Sequence, residues 1–225
     1  MAALERQVEN LARSPQSLVR SRVKRVVKDC FLLTGSALLY TLACSPYDWS
    51  VASWVALTPL FLSLYQPQTW RAAACRGLLF GVLSSAGVGY WIYVTTAQYF
   101  SLSVPAAVLL TSLNYAYFAG MYTALAAVVI SLLLRQQATI LRTISVPAAW
   151  VASELARTYG VAGIPWELFG YTQYRHLVLI QVADLTGVYG ISFLLALSSY
   201  AAAEVFRSYQ LSAISYQLLQ SKKQK

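Results

Sequence analysis

Charge is what this sequence has least of. Only 11% of its 225 residues are Asp, Glu, Lys or Arg, while 58% are apolar; an ordinary soluble domain carries about 25% charged and about 45–50% apolar residues. So few charged side chains cannot cover a water-facing globule, and the mean hydropathy of +0.53 agrees. A soluble enzyme, a disordered tail and a disulfide scaffold are all disfavoured. Cysteine is nearly as scarce. Cys30, Cys44 and Cys75 are an odd number, scattered along apolar stretches with no CxxC spacing, so neither a disulfide framework nor a metal site is read from them. Cys44 reads as a small buried apolar side chain rather than a nucleophile. No cofactor is expected.

What the chain has instead is long apolar runs, the mark of an all-α polytopic membrane protein. Six can be drawn: Cys30–Cys44, Trp49–Tyr65, Gly77–Thr96, Val104–Leu134, Ile140–Arg157 and Gly187–Phe206. A bilayer core of about 30 Å needs roughly 20 helical residues, fewer where the flanks snorkel. The first two runs are short and joined by Ser45-Pro46-Tyr47-Asp48, a tight turn with proline as breaker. The fourth, at 31 residues, is expected to tilt or protrude.

The charges that do occur are one-sided. Lys and Arg total 17 against 8 acids, a net charge of +9. Seven of them (Arg6, Arg13, Arg20, Arg22, Lys24, Arg25 and Lys28) precede the first run. That is the positive-inside pattern rather than a nucleic-acid footprint. The first apolar run starts near residue 30, behind a long polar arm, so the N-terminus does not read as a cleavable signal. With the N-terminus inside, six spans also place Arg71, Arg76, Arg135, Arg142, Arg207, Lys222, Lys223 and Lys225 inside, leaving only Arg157 and Arg175 outside. The expected division is a basic arm over 1–29, a six-span membrane domain over 30–206 and a basic cytoplasmic tail over 207–225. Within the arm, Val8, Leu11, Val19, Val23, Val26 and Val27 recur loosely at helical spacing. They suit a helix lying on an anionic inner leaflet, and a plain solvated helix equally well.

The third run carries Gly77-xxx-Gly81, then Ser84, Ser85, Gly87 and Gly89. Small residues at that spacing allow close helix–helix approach in lipid. The sixth repeats the theme with Ala196, Ser199 and Ala203.

Polar groups at membrane depth are costly and mark a partner or a purpose. Asn114 lies in the fourth run among Tyr115, Tyr117 and Tyr122. Near the outer end of the fifth, Trp150, Glu154 and Arg157 share one helix face. They form either an interfacial ion pair or a polar floor beneath an outward-facing substrate cavity. Between the fifth and sixth runs, residues 160–186 are too aromatic and aliphatic for a simple exposed loop. They read as a re-entrant or interface-lying segment, bent at Gly160, Gly163, Pro165 and Gly170, with Trp166, Tyr171 and Tyr174 at headgroup level. His176, the single histidine, reads as a surface or headgroup-contacting side chain, since no suitably placed Ser or Cys accompanies it in sequence.

Five pieces of sequence, in order, carry a resemblance: Thr41-Leu-Ala-Cys-Ser-Pro-Tyr-Asp-Trp49, Gly89-Tyr-Trp-Ile-Tyr-Val94, Pro147-Ala-Ala-Trp-Val-Ala-Ser-Glu-Leu-Ala-Arg157, Gly163-Ile-Pro-Trp-Glu-Leu-Phe-Gly-Tyr-Thr-Gln173 and Leu185-Thr-Gly-Val-Tyr-Gly-Ile-Ser-Phe-Leu194. Over about residues 30–205 the chain resembles the membrane domain of the apolipoprotein N-acyltransferases, bacterial inner-membrane enzymes that complete lipoprotein maturation. The resemblance implies ping-pong acyl transfer. A phospholipid acylates an enzyme cysteine, and the α-amino group of a diacylglyceryl-cysteine on a lipoprotein then attacks the thioester. In that family the chemistry belongs to a periplasmic nitrilase-like domain, with Glu as base, Lys at the oxyanion and Cys as nucleophile.

Those catalytic residues have no counterpart among these 225. After Phe206 only nineteen residues follow, a largely polar stretch ending in a Lys cluster, and with the N-terminus inside no lysine lies within a span or on the outer side. The expectation is therefore a truncated or split acyltransferase, inactive alone, with a separately encoded nitrilase-like domain as partner. Trp150, Glu154, Arg157, Pro165, Trp166, Glu167, Tyr171 and Gln173 are its candidate substrate-cavity residues. The alternative is a non-enzymatic scaffold or lipid-binding protein reusing the same spans. A small transporter fits less well, because it calls for a midplane site with broken helices or an internal repeat, and the sequence displays neither.

Overall fold

The computed structural model describes residues 15–66, 68–136, 139–161 and 163–223. Arg6, Arg13, Val8, Leu11 and Lys225, which figure in the charge and arm arguments, lie outside the described residues. Every regular element among the described residues is helical. Helix α1 (Pro15–Ala43) runs unbroken through the expected junction of arm and membrane domain at residues 29 and 30. After the turn at 44–48 come a 3-10 helix (Ser50–Trp54), α2 (Thr58–Leu64) and α3 (Trp70–Val88). Next are α4 (Tyr90–Val94) with a π turn (Thr95–Tyr99), then α5 (Val104–Tyr115), a second π turn (Ala116–Gly120) and α6 (Met121–Leu133). Helix α7 spans Thr139–Tyr159. A 3-10 helix (Phe169–Gln173), α8 (Leu177–Ile180) and α9 (Ala183–Thr186) lead into α10 (Val188–Lys223).

Among the described residues three helical stretches are long and apolar enough to cross a membrane: Val23–Ala43, Val104–Leu133 and Val188–Gln217. Trp70–Val88 with Tyr90–Tyr99, bent by 70°, makes a fourth if counted as one. Two expected runs differ from single straight helices. Trp49–Tyr65 is a 3-10 helix and a short α-helix, restarted at Pro59, which sits in the first turn of α2, where its missing N–H costs nothing. The third run begins earlier than expected, at Trp70, and turns at Gly89. So broken helices do occur, contrary to the sequence reading. Helix α10 continues well past Phe206, and α7 combines 21 residues with Arg142, Glu154 and Arg157.

The long elements close a ring. Helix α3 packs on α1 and α6, α6 on α7, α7 on α10, and α2 fills the gap between α10 and α1. Tight seams explain the neighbours. A Cβ added at Gly77 would collide with Thr123 O, and one at Gly81 would meet Gly120 Cα at 2.8 Å. The Thr123 hydroxyl donates to Gly77 O across the seam at 2.8 Å. The Gly77-xxx-Gly81 part of the small-residue set expected in the third run therefore lies against α6 and the preceding π turn, while Gly87 faces Thr41 of α1.

Breaks in a helix free backbone groups that lipid cannot satisfy, and serines from neighbours take them up here. Ser36 donates to Ala56 O at 2.5 Å. Ser199 donates to Trp54 O at 3.2 Å and accepts from Leu57 N at 3.3 Å. Inside the ring the core is aromatic. Tyr40 stacks on Phe169 at 5.1 Å between centroids, and Trp150 meets both Phe80 and Phe169 edge-on. Cys44 packs partly buried against this core.

Candidate functional site

The polar residues singled out in sequence gather at the end of the bundle where α1 and α7 finish and α3 turns. Trp150, Glu154 and Arg157 do share one face of α7, and all three are buried. Glu154 is used twice by its own neighbourhood: Oε1 accepts from Trp150 Nε1 at 3.1 Å and from the backbone N–H of Phe169 at 2.8 Å. The carboxylate thus receives the first turn of the 3-10 helix that carries residues 169–173. Its neighbour Gly170 donates to Ser192 Oγ at 2.8 Å.

Arg157 and Glu154 form no ion pair within 4 Å. Instead Arg157 Nη2 donates to the carbonyl oxygen of Glu167 at 2.9 Å. Tyr40 OH donates to the same carbonyl at 2.6 Å, and Ser85 Oγ donates to Glu167 Oε2 at 2.7 Å. Glu167 thereby joins α1, α3 and α7, and it does so with φ at +55°, a conformation uncommon for a side-chain-bearing residue. Where the chain turns beside it, Tyr115 OH donates to Gly89 O at 2.8 Å. A Cβ at Gly89 would lie 3.1 Å from Glu167 Oε1 and 2.9 Å from Ser85 O, so the turn and the carboxylate fit each other closely.

Sequence reasoning placed eight residues in one cavity; the structure divides them. Trp150, Glu154, Arg157 and Glu167 converge. Gln173 is buried in a separate cluster, donating to Ser50 O at 2.9 Å and Ser53 Oγ at 2.7 Å. Pro165, Trp166 and Tyr171 are exposed, with Trp166 edge-on to Trp91 at 5.0 Å. Two voids border the convergent group, one against Asn114 and Trp166, the other against Tyr40 and Trp150. Each measures about 20 Å³, room for roughly one water molecule. A larger, open groove of about 680 Å³ lies on the other side of the segment, lined by Val51, Trp54, Gln173, His176, Val178 and Val182.

His176 does have a hydroxyl partner, which the sequence reading missed: its Nε2 lies 2.6 Å from Ser50 Oγ. Next to it Asp48 accepts from Tyr174 OH at 3.1 Å and from Arg175 Nη2 at 2.6 Å. The partners Tyr40, Ser50, Ser85 and Ser192 sit inside or beside apolar runs, far from their targets in sequence. The only available signal was a hydroxyl within an apolar run. Beyond these anchors the segment leaves Val178 and Leu185 almost fully exposed and Leu177 largely so. Among the described residues no three His, Cys, Asp or Glu side chains come together to hold a metal ion.

Comparison with known proteins matches residues 36–201 to the family model for the apolipoprotein N-acyltransferase N-terminal domain. Curated relatives include the apolipoprotein N-acyltransferase of Geobacter metallireducens, 35% identical over 184 residues, covering 81% of this chain and 34% of the relative. That of Methylococcus capsulatus is 34% identical, covering 73% of this chain and 32% of the relative. Apolipoprotein N-acyltransferase 2 of Treponema pallidum is 30% identical, covering 76% and 29%. The chain spans about a third of the length of the curated relatives it matches.

Proposed function

Because the chain belongs to the apolipoprotein N-acyltransferase family, matching that family's N-terminal domain, we propose that it forms the membrane platform of a phospholipid-to-lipoprotein acyl transfer in a bacterial inner membrane. The observation that carries this reading is the anchoring of residues 160–186. Polar bonds to Glu154, Arg157, Ser85 and Tyr40 hold one side of the segment. Its other side presents apolar and aromatic side chains outward. Such a segment, lying at the outer interface between the fifth and sixth of six spans, presents lipid-shaped substrates at headgroup level. The groove beside Trp54 and Val178 takes an acyl chain, and the exposed Trp166 and Tyr171 flank the approach of a diacylglyceryl lipoprotein.

Bond making and breaking require groups that these residues do not assemble. Lys24 and Lys28 stand in the first half of α1, about 18 Å or more along its axis from Tyr40. Lys222 and Lys223 close α10, about 45 Å along its axis from Ser192. Neither pair joins Glu154 or Glu167 with Cys44 in a Glu–Lys–Cys set. The platform therefore works with a nitrilase-like catalytic domain and is inactive as these 225 residues alone.

A non-enzymatic scaffold or lipid-binding role is supported by one observation: the voids at the polar cluster are water-sized, so Glu154 and Arg157 serve the fold rather than a substrate. Expressing the 225 residues in cells depleted of their own acyltransferase tests both readings by mass spectrometry of lipoprotein N-termini. No N-acylation is expected from the chain alone, and its appearance refutes the inactivity. Restoration on co-expressing a nitrilase-like domain supports the platform; continued absence supports the scaffold.

A further inference from the structure

At the opposite end of α7, about 22 Å along its axis from Arg157, a second polar site has no part in the reading above. A cavity of about 540 Å³ opens there between α2, α6, α7 and α10, lined by Tyr65, Gln68, Ser131, Arg135, Arg142 and Arg207 among others. Three guanidinium groups face one cavity. The nearest carboxylate, Glu204, lies 3.6 Å from Arg142 and 3.7 Å from Arg207. It is already engaged by the hydroxyls of Tyr65 and Tyr200. Arg135 donates to the backbone at Gln68 O, 2.6 Å away, a neutral acceptor. Three positive charges against one negative leave the cavity wall at +2.

These arginines are held in place. The Arg207 guanidinium stacks over the Tyr65 ring at 4.6 Å. The Arg142 side chain is only 11% exposed, and its Nε, like the Gln68 Oε1, is buried with no partner. Gathering three guanidinium groups around a single carboxylate is costly, and a planar fork of N–H donors matches phosphate oxygens two at a time. We propose that this cavity binds a phosphate group, Arg142 and Arg207 contacting its oxygens with Arg135 at the rim. The source is the headgroup of an acidic phospholipid or a soluble phosphate, which share this chemistry.

Two arms separate the sources. In the first, the full chain is reconstituted in nanodiscs of phosphatidylcholine containing phosphatidylglycerol, and lipid retained after transfer to detergent is counted by native mass spectrometry. In the second, inorganic phosphate is titrated in neutral detergent while thermal unfolding is followed. Selective retention of phosphatidylglycerol over phosphatidylcholine assigns the headgroup, and a rise in Tm with phosphate assigns the soluble anion. Either supports the site, provided the effect falls about tenfold in Arg142→Gln/Arg207→Gln. The rim variant Arg135→Gln, whose side chain is exposed, should show a smaller loss and answers the question even if the double variant does not fold. Equal retention of both lipids by the unsubstituted chain, with no response to phosphate, overturns the proposal. So does undiminished binding in the arginine variants.

Discussion

Single side chains at the end of the bundle where α1 and α7 finish behave as connectors, and Glu154 shows why only half of that was legible. Its spacing from Trp150 and Arg157 predicts a shared helix face, and the Trp150 bond follows from it. The second partner, Phe169 N, comes from fifteen residues away in a segment with no regular period. No local pattern announces it. If Glu154 acts as the acceptor for that turn, Glu154→Ala leaves two buried donors without a partner and should cost about 1–3 kcal/mol. Glu154→Gln keeps an acceptor oxygen and should cost markedly less. Thermal unfolding in detergent micelles ranks the two, and equal losses would contradict the connector role. The Ser50–His176 contact is a similar case: both residues look unremarkable until the chain brings them 126 positions together.

Elements were legible wherever their length or small-residue spacing was decisive. Val104–Leu133 and the Gly77-xxx-Gly81 face stand much as the sequence predicts. What stayed hidden were breaks within apolar runs, because hydropathy averages across them. Pro59 was the visible sign in the second run, and Gly89 in the third. The α3–α6 seam yields a paired prediction. Gly81→Leu drives its side chain into Gly120 and Thr123 and should lower Tm sharply, by the equivalent of about 1–3 kcal/mol or more for overpacking. Gly35, with nothing within 4 Å of an added Cβ, should accept alanine with no loss and a gain of up to about 1 kcal/mol. A Gly35→Ala protein as damaged as Gly81→Leu would show that the two contacts were misjudged.

Over the whole molecule, composition predicted an apolar helical bundle and motif order predicted the family. Both are general properties of the chain that survive local irregularity. The number of crossings is not of that kind. A bent or shortened helix crosses a membrane only by virtue of its neighbours, and Ser36 and Ser199 take up the carbonyls of Ala56 and Trp54 at the break just ahead of α2. The proposed six-span arrangement has a direct check. Alkaline phosphatase fused after Gln98 or Tyr174 should be active, as expected outside the cytoplasm, and a fusion after Lys225 inactive. An active fusion at residue 225 rules out the arrangement.

One consequence follows from Glu167, whose single peptide unit and side chain are shared by Tyr40, Ser85 and Arg157. A residue tied to three helices cannot drift with one of them without letting go of the other two. Loosening of residues 163–173 is thus cooperative, a concerted release instead of gradual fraying. The amides of Phe169 and Gly170 should exchange with deuterium at one common opening free energy, and Ser85→Ala should raise both rates by the same factor.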